Sequence, residues 1–464
     1  MTKTSLKKIV LLALVAFLAI LLVSCIVIPR IHKKISTVGA LPYPVDLGEA
    51  NERILCVDDN TDALIWRLRT IEEAEKELIL STYSFVDDES GRDIMAALLN
   101  AAERGVNVRV IVDGITSLAN LQLSKKFQAL SSADNVEVRV YNPVNLLKPW
   151  KLNYRMHDKY LIADDTVYIL GGRNTKNLSL GDYQEKKDID RDIVVYSHTP
   201  NDASSLSQVK EYFGRIWELK STKAFHSFSR NNDKAIETLH DRYEKLRESY
   251  PEAYTPTDWE NSTIPTNGIR FLSNPVEPEN KEPILWSSVI QLMKSGEERT
   301  VQTPYLICDG QMYKDLTNLA HSGKTTEIIL NSVETGANVF GSTDYLNQRK
   351  NIKKTGADIY EYSKQHSSHA KTVLIDDNLS LVGSFNFDIR STNLNTELML
   401  VIDCPELNQH LRSLTQEQKD ASRHFCPDGA VDFGHEYQVH ELSFPHKILY
   451  SLLRVVIWPF RHLV

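Results

Sequence analysis

Apolar residues recur along this chain with two alternating periods. Residues 62–77 place Leu64, Ile65, Leu68 and Ile71 at helical spacing, and Leu78-Ile79-Leu80 follows as a short buried strand. Residues 91–104 predict an amphipathic helix ended by Gly105, and strands are expected at 106–113 and 136–141. The order returns downstream, with a helix at 284–294 and strands at 300–306, 326–330 and 356–362. STYSF and QTPYL, VEVRVY and ADIYEY, and HDKYLIADD and HAKTVLIDD occur in matching order. Strand–helix alternation predicts an α/β layered fold, and the repeat predicts a duplicated unit of roughly 170 residues. Halves at 51–225 and 266–425 are expected, joined by a linker at 226–265 that is charged and helix-prone, then Pro-rich.

The two ends read differently. Lys3, Lys7 and Lys8 precede an apolar run from Ile9 to Ile28, long enough to cross a bilayer as a helix. Residues 1–29 are therefore expected to be a membrane anchor. The alternative is a lipoprotein signal, since Leu22-Val23-Ser24-Cys25 resembles a bacterial lipobox that would be lipidated at Cys25. Leu41-Pro42-Tyr43-Pro44 reads as an extended spacer. Residues 440–464 are apolar and aromatic with interspersed Lys447, Arg454 and Arg461. They fit either an amphipathic segment in a membrane interface or a helix packed on the protein's own core.

Composition narrows the function. The formal net charge of -8 argues against nucleic acid as a partner. The five cysteines, Cys25, Cys56, Cys308, Cys404 and Cys426, are scattered without metal-ligand spacing, so no metal or other cofactor is implied.

The pattern His-x-Lys-x4-Asp occurs twice, at His157-Lys159-Asp164 and at His369-Lys371-Asp376. Two residues apart on a strand, each His and Lys project from one face. Gly171-Gly172-Arg173-Asn174 and Gly383-Ser384-Phe385-Asn386 follow, with His to Asn 17 residues apart in both halves. One such motif is a weak signal; two with the same downstream spacing are a strong one. A phosphodiester repels anionic nucleophiles, whereas a neutral imidazole can attack phosphorus and form a covalent phosphohistidine. A second, protonated imidazole can donate to the leaving alcohol and later deprotonate the incoming one. Lys159 and Lys371, with Asn174, Asn386 and Ser384, are expected to hold the non-bridging oxygens.

These residues resemble the phospholipase D superfamily, and the second half is most similar to bacterial cardiolipin synthases. Gly383-Ser384-Phe385-Asn386-Phe387-Asp388, Arg390-Ser391 and Asn395-Thr396-Glu397 carry that likeness. So does Asn153-x-Arg155-x-His157 in the first half. The resemblance implies two α/β/α sandwich halves packed around one pseudo-twofold active site, phospholipid substrates such as phosphatidylglycerol, and a bacterial cell-membrane location. It implies His157 as nucleophile and His369 as general acid and base, with Asp164 and Asp376 as structural support in the motifs. Glu397 matches the family's histidine-orienting carboxylate. In the first half Asp192, at the start of the corresponding strand, is the expected partner, with Asp190 as runner-up. The chain departs from the pattern after Asn174, where it reads Thr175-Lys176-Asn177-Leu178. Phosphatidyl transfer to a second phospholipid is the leading expectation, with a hydrolase or a nuclease of the same superfamily as alternatives.

Overall fold

The computed structural model describes residues 3–33, 47, 51–198, 201–279, 281–335 and 338–464, so the 41–44 spacer lies outside the described residues. The expected duplication is present as two mixed sheets of nine strands each. In spatial order the first sheet's central strands are Glu52–Val57, Asp192–Ser197, Val167–Gly171, Lys159–Ala163, Glu77–Thr82, Asn107–Asp113 and Val136–Tyr141. The second runs Gly268–Ser273, Leu398–Asp403, Leu379–Gly383, Thr372–Ile375, Glu298–Gln302, Thr325–Asn331 and Asp358–Tyr362. In both, the last three are parallel and the motif strand joins them antiparallel. The motif strands Lys159–Ala163 and Thr372–Ile375 are buried throughout, which is why they read as apolar runs rather than alternating ones.

Each half has an outer core under its own helices, including Glu89–Glu103 in the first and Ile284–Ser295 in the second. A third core is shared. Ile54, Ile79, Ile162 and Ile193 of the first sheet pack in one cluster with Leu374, Val382, Leu398 and Leu400 of the second. Burial of that shared apolar face joins the halves, and it fixes the motif-strand ends against one another.

The segment expected to be a linker is more than a connection. Asp233–Ser249 is a helix whose Leu239, Tyr243 and Leu246 are buried against the first half, where Arg242 pairs with Asp93 at 2.5 Å. Its charged residues concealed a narrow apolar stripe of the kind that docks a surface helix.

At the N-terminus Lys3–Ile31 is one helix, unbroken at Cys25. Its stretch Leu12–Ile31 has a mean hydropathy of 3.0 and only 6 % of it is buried, as a membrane-spanning helix requires. Its C-terminal end is tied to both halves of the duplicated fold. Asn153 Nδ2 donates to the Cys25 carbonyl at 2.8 Å, His462 Nε2 to the Ile26 carbonyl at 2.7 Å, and Lys33 pairs with Asp309. The C-terminal helix Phe444–Ile457 buries Tyr450 and Ile457 and leaves Phe444, Leu452 and Val455 exposed, with Trp458 exposed just beyond it.

Candidate active site

The two motif histidines are held by reciprocal contacts between the halves. The His157 backbone N–H donates to the Thr396 carbonyl at 3.3 Å, and its ring Nδ1 lies 2.9 Å from Glu397. In mirror fashion the His369 N–H donates to the Ile189 carbonyl at 2.7 Å, and its Nδ1 lies 2.5 Å from Asp190 Oδ2. A two-residue parallel ladder, Ser367-Ser368 on Asp188-Ile189, reinforces the second contact. Each imidazole is thus oriented by a carboxylate from the other half, which places the proton on Nδ1 and leaves the lone pair on Nε2.

The partner in the first half is therefore Asp190, not Asp192. Asp192 stands opposite Gly171 in the ladder, and its counterpart opposite Gly383 is Met399. Stepping back two residues along each strand equates Glu397 with Asp190. The Asp192 carboxylate meets Arg67 at 2.8 Å and Arg173 at 3.5 Å, an ion cluster with no contact to either histidine. Matching the two strands by their apparent starts puts Asp192 level with Glu397, whereas the ladder puts it level with Met399.

Ser384 also differs from its expected role. Its hydroxyl donates to Glu397 Oε2 at 2.5 Å and accepts from the Leu398 N–H at 3.0 Å, so it is committed to the carboxylate. The matching Gly172 leaves no room for a side chain, because a Cβ there would lie 2.1 Å from Asp190 Oδ1. The glutamate side is set back by a methylene with a serine filling the gap; the aspartate side comes close and demands glycine.

Lys159 begins its strand and Lys371 immediately precedes its own, and both point back over the histidines. Lys159 Nζ donates to the His157 carbonyl at 2.5 Å, while Lys371 Nζ donates to the His369 carbonyl and lies beside the ring, 2.8 Å from His369 Nδ1 and 3.1 Å from Nε2. Asn174 and Asn386 are both buried with an Oδ1 that has no partner, and Asn386 Nδ2 donates to the Tyr305 hydroxyl at 3.3 Å. Asp164 and Asp376 stand past the far end of the strands, roughly 16 Å along the chain from the motif lysine at 3.3 Å per residue. Both adopt positive φ, 51° and 50°, which aspartate tolerates. Asp164 accepts from the Glu75, Lys76 and Glu77 N–H groups and Asp376 from those of Glu297 and Glu298, so each caps the entry of the neighbouring strand.

Other supports carry no periodic signal in the sequence. Tyr83 meets the His157 ring edge-on at 4.8 Å. Asp113 accepts from the Met156 N–H at 3.1 Å and pairs with Arg155 at 3.3 Å, fixing the loop that carries His157. Arg390 donates to the carbonyls of Asn153, at 3.0 Å, and Leu463, at 2.7 Å.

Burial sets the charge states. Desolvation, with the fields of Lys159 and Lys371, holds His157 well below the usual imidazole range. His369 is lowered by burial and Lys371, but Asp190 opposes them. Desolvation pushes Glu397 up to about 7. Burial also pushes Asp190 up, yet Lys371 and His369 outweigh it and hold that carboxyl below its ordinary range. Burial pulls Lys159 down to about 7.

Two imidazoles, each held by a carboxylate of the other half and with a motif lysine beside it, define a phosphodiester-directed enzyme of the two-motif phospholipase D type. Residues 68–217 and 289–418 match the family described as cardiolipin synthase, PLD-like domain, and the chain belongs to that family as an enzyme of the phospholipase D phosphatidyltransferase type. The chain is 29 % identical to cardiolipin synthase C of Escherichia coli K12, over 79 % of this chain and 85 % of that protein. It is 27 % identical to the major cardiolipin synthase of Bacillus subtilis 168, over 80 % and 69 % respectively. An uncharacterized Helicobacter pylori protein is 26 % identical over 80 % of each. Phosphatidylserine synthase of Haemophilus influenzae shares the fold at a TM-score of 0.62 and 16 % identity, covering 89 % of this chain and 95 % of that one.

Proposed function

We propose that this protein is a membrane-attached phosphatidyltransferase of cardiolipin synthase type, taking a phosphatidyl group from phosphatidylglycerol and passing it to the hydroxyl of a second phospholipid. The observation that carries the reading is the crossed pairing of each histidine with a carboxylate of the other half, in two unequal electrostatic settings. His157, kept neutral by burial and two lysines, attacks phosphorus through Nε2. His369, whose charged form Asp190 favours, gives its proton to the departing glycerol oxygen. The P–O bond breaks as the N–P bond forms. Lys159, Lys371, Asn174 and Asn386 bind the non-bridging oxygens as charge builds on them. In the second half-reaction, neutral His369 takes the proton of the incoming lipid hydroxyl, whose oxygen displaces His157 from phosphorus and yields cardiolipin.

The surroundings support a lipid substrate in a bacterial cell membrane. The loop before His157 packs on the membrane-spanning helix through Asn153, and the C-terminal turn meets the same helix through His462. The helix through Cys25 favours an anchor over a lipidated N-terminus. The purified full chain, reconstituted with labelled phosphatidylglycerol, is expected to give cardiolipin and glycerol. Phosphatidic acid alone would make it a hydrolase, and cleavage of DNA with no lipid turnover would overturn both lipid readings.

A further inference from the structure

Far from the histidines, the hairpin that leads out of the second half brings three ligand-type side chains together. Ser422–Phe425 pairs with Val431–Phe433, and His424 and Asp432 are cross-strand partners in that ladder. Cys426 lies two residues beyond His424. The turn between is closed by the Cys426 N–H on the Ala430 carbonyl and the Gly429 N–H on the Cys426 carbonyl, both 3.0 Å, with Gly429 at a φ of 93°. Cys426 Sγ stands 3.6 Å from His424 Nδ1 and 3.5 Å from Asp432 Oδ2.

With the His424 ring neutral, one thiol proton is shared between two acceptors at this point. His424 Nε2 lies 2.8 Å from Asp358 Oδ1, so Nε2 carries the ring proton and Nδ1 presents a lone pair. Nδ1 and the Asp432 carboxylate are then two acceptors facing one thiol, which has one proton to give. A cation in place of that proton satisfies all three at once. The spacing also fits: with Zn–S of about 2.3 Å and Zn–N or Zn–O of about 2.0–2.2 Å, a tetrahedral ion sets sulfur about 3.5 Å from either partner.

We propose that His424, Cys426 and Asp432 bind one Zn2+-class ion, with the fourth position open to water. Asp358 is the outer partner that orients the histidine, and Tyr360 stacks on its ring at 4.1 Å and 6° to fix the plane. The bound ion pins the hairpin that carries the chain from the catalytic half to the C-terminal helix. Binding expels the thiol proton to solvent. In the sequence the site was hidden because one ligand comes from the opposing strand, out of register with any fixed spacing.

Co2+ is the probe. The full chain in detergent, reduced and stripped with a chelator, is titrated with Co2+ and followed by absorption. One equivalent is expected to give a thiolate-to-cobalt charge-transfer band with visible d–d bands, both bleached by Zn2+. Cys426→Ser is expected to abolish the charge-transfer band, Asp432→Asn to lower affinity, and Asp358→Asn to weaken it about 10- to 100-fold. Cys56→Ser, at the separate Cys56, Asp58 and His410 group, should leave the spectrum unchanged. No band in the wild type, a band that survives Cys426→Ser, or one lost instead in Cys56→Ser would overturn the proposal. Asp432 is exposed on the hairpin, so its variant still tests the site if the cysteine variant fails to fold.

Discussion

Replacing Asp190 by Asn separates the carboxylate that orients a histidine from the one that merely sits at the start of a strand. The change keeps shape and removes the charge that faces His369 Nδ1 at 2.5 Å. An amide can present either its oxygen or its NH2 to the ring, so the wrong tautomer becomes accessible and the imidazolium loses its counter-charge. The same isosteric change in a Ser-His-Asp triad costs about 10⁴ in kcat. At 1.36 kcal/mol per decade that is about 5 kcal/mol of transition-state stabilisation. His369 retains its backbone bond to Ile189 and its contact with Lys371, so a loss of roughly 10³ to 10⁴ is expected. Asp192→Asn is the control. It takes the charge from a carboxylate buried between Arg67 and Arg173, and leaving buried guanidinium groups uncompensated costs about 3–5 kcal/mol of stability. Its signature should be a lower Tm with kcat nearly preserved in whatever protein folds. The assay is initial-rate transfer from labelled phosphatidylglycerol alongside thermal unfolding of each variant. If Asp190→Asn stays within tenfold of wild type while folded Asp192→Asn loses kcat, the crossed pairing is not what orients the histidine.

Three further outcomes follow from the same geometry. Ser384→Ala removes one hydrogen bond to a carboxylate, about 1.5–3 kcal/mol, so rates should fall about 10- to 100-fold, whereas Gly172→Ser forces Asp190 aside and should lose far more, as transfer assays on both would show. Lys159 must be protonated to hold phosphate and, at about 7, loses its charge as pH rises; kcat/KM should therefore decline above pH of about 7. The acidic limb from His157 should lie below the usual histidine range, because that group is needed neutral and is held well down. Leu452→Asp and Val455→Asp, at positions 64 % and 77 % exposed, should slow turnover of bilayer substrate but spare a short-chain soluble one, since each removes about 1.5–3 kcal/mol of apolar insertion; equal loss on both substrates would show that the helix serves only the fold.

Much of this architecture was legible because the duplicated segments repeat local rules. Fully buried motif strands read as apolar runs, and the identical spacing of His157 to Asn174 and His369 to Asn386 placed both halves of the site. What escaped the sequence depends on pairing across distance. Asp190 and Asp192 are indistinguishable by type and neighbourhood; only the ladder register opposite Gly171 tells them apart. Ser384 carries the hydroxyl expected of a phosphate ligand, and only its contact with Glu397 shows where that hydroxyl is spent. The helix Asp233–Ser249 shows the same limit, since three buried residues among many charges gave a weaker signal than the charges did.

The unequal carboxylates offer a physical reason for a division of labour in a site that began as two copies. Nothing in a perfectly symmetric pair would decide which imidazole attacks and which donates. Here one histidine faces a buried glutamate whose carboxyl is pushed up to about 7, and Ser384 already occupies one of its oxygens. That glutamate gives little support to a positive ring, which accords with the nucleophilic role proposed for His157. The other histidine faces an aspartate held in its charged form by Lys371 and His369 itself, and so gains a partner for the imidazolium. Environments that push paired groups in opposite directions assign the acid and the base. By this reasoning Glu397→Asp and Asp190→Glu, made together, would blur the assignment rather than exchange it, because Gly172 and Ser384 shape the pockets that tell the two carboxylates apart.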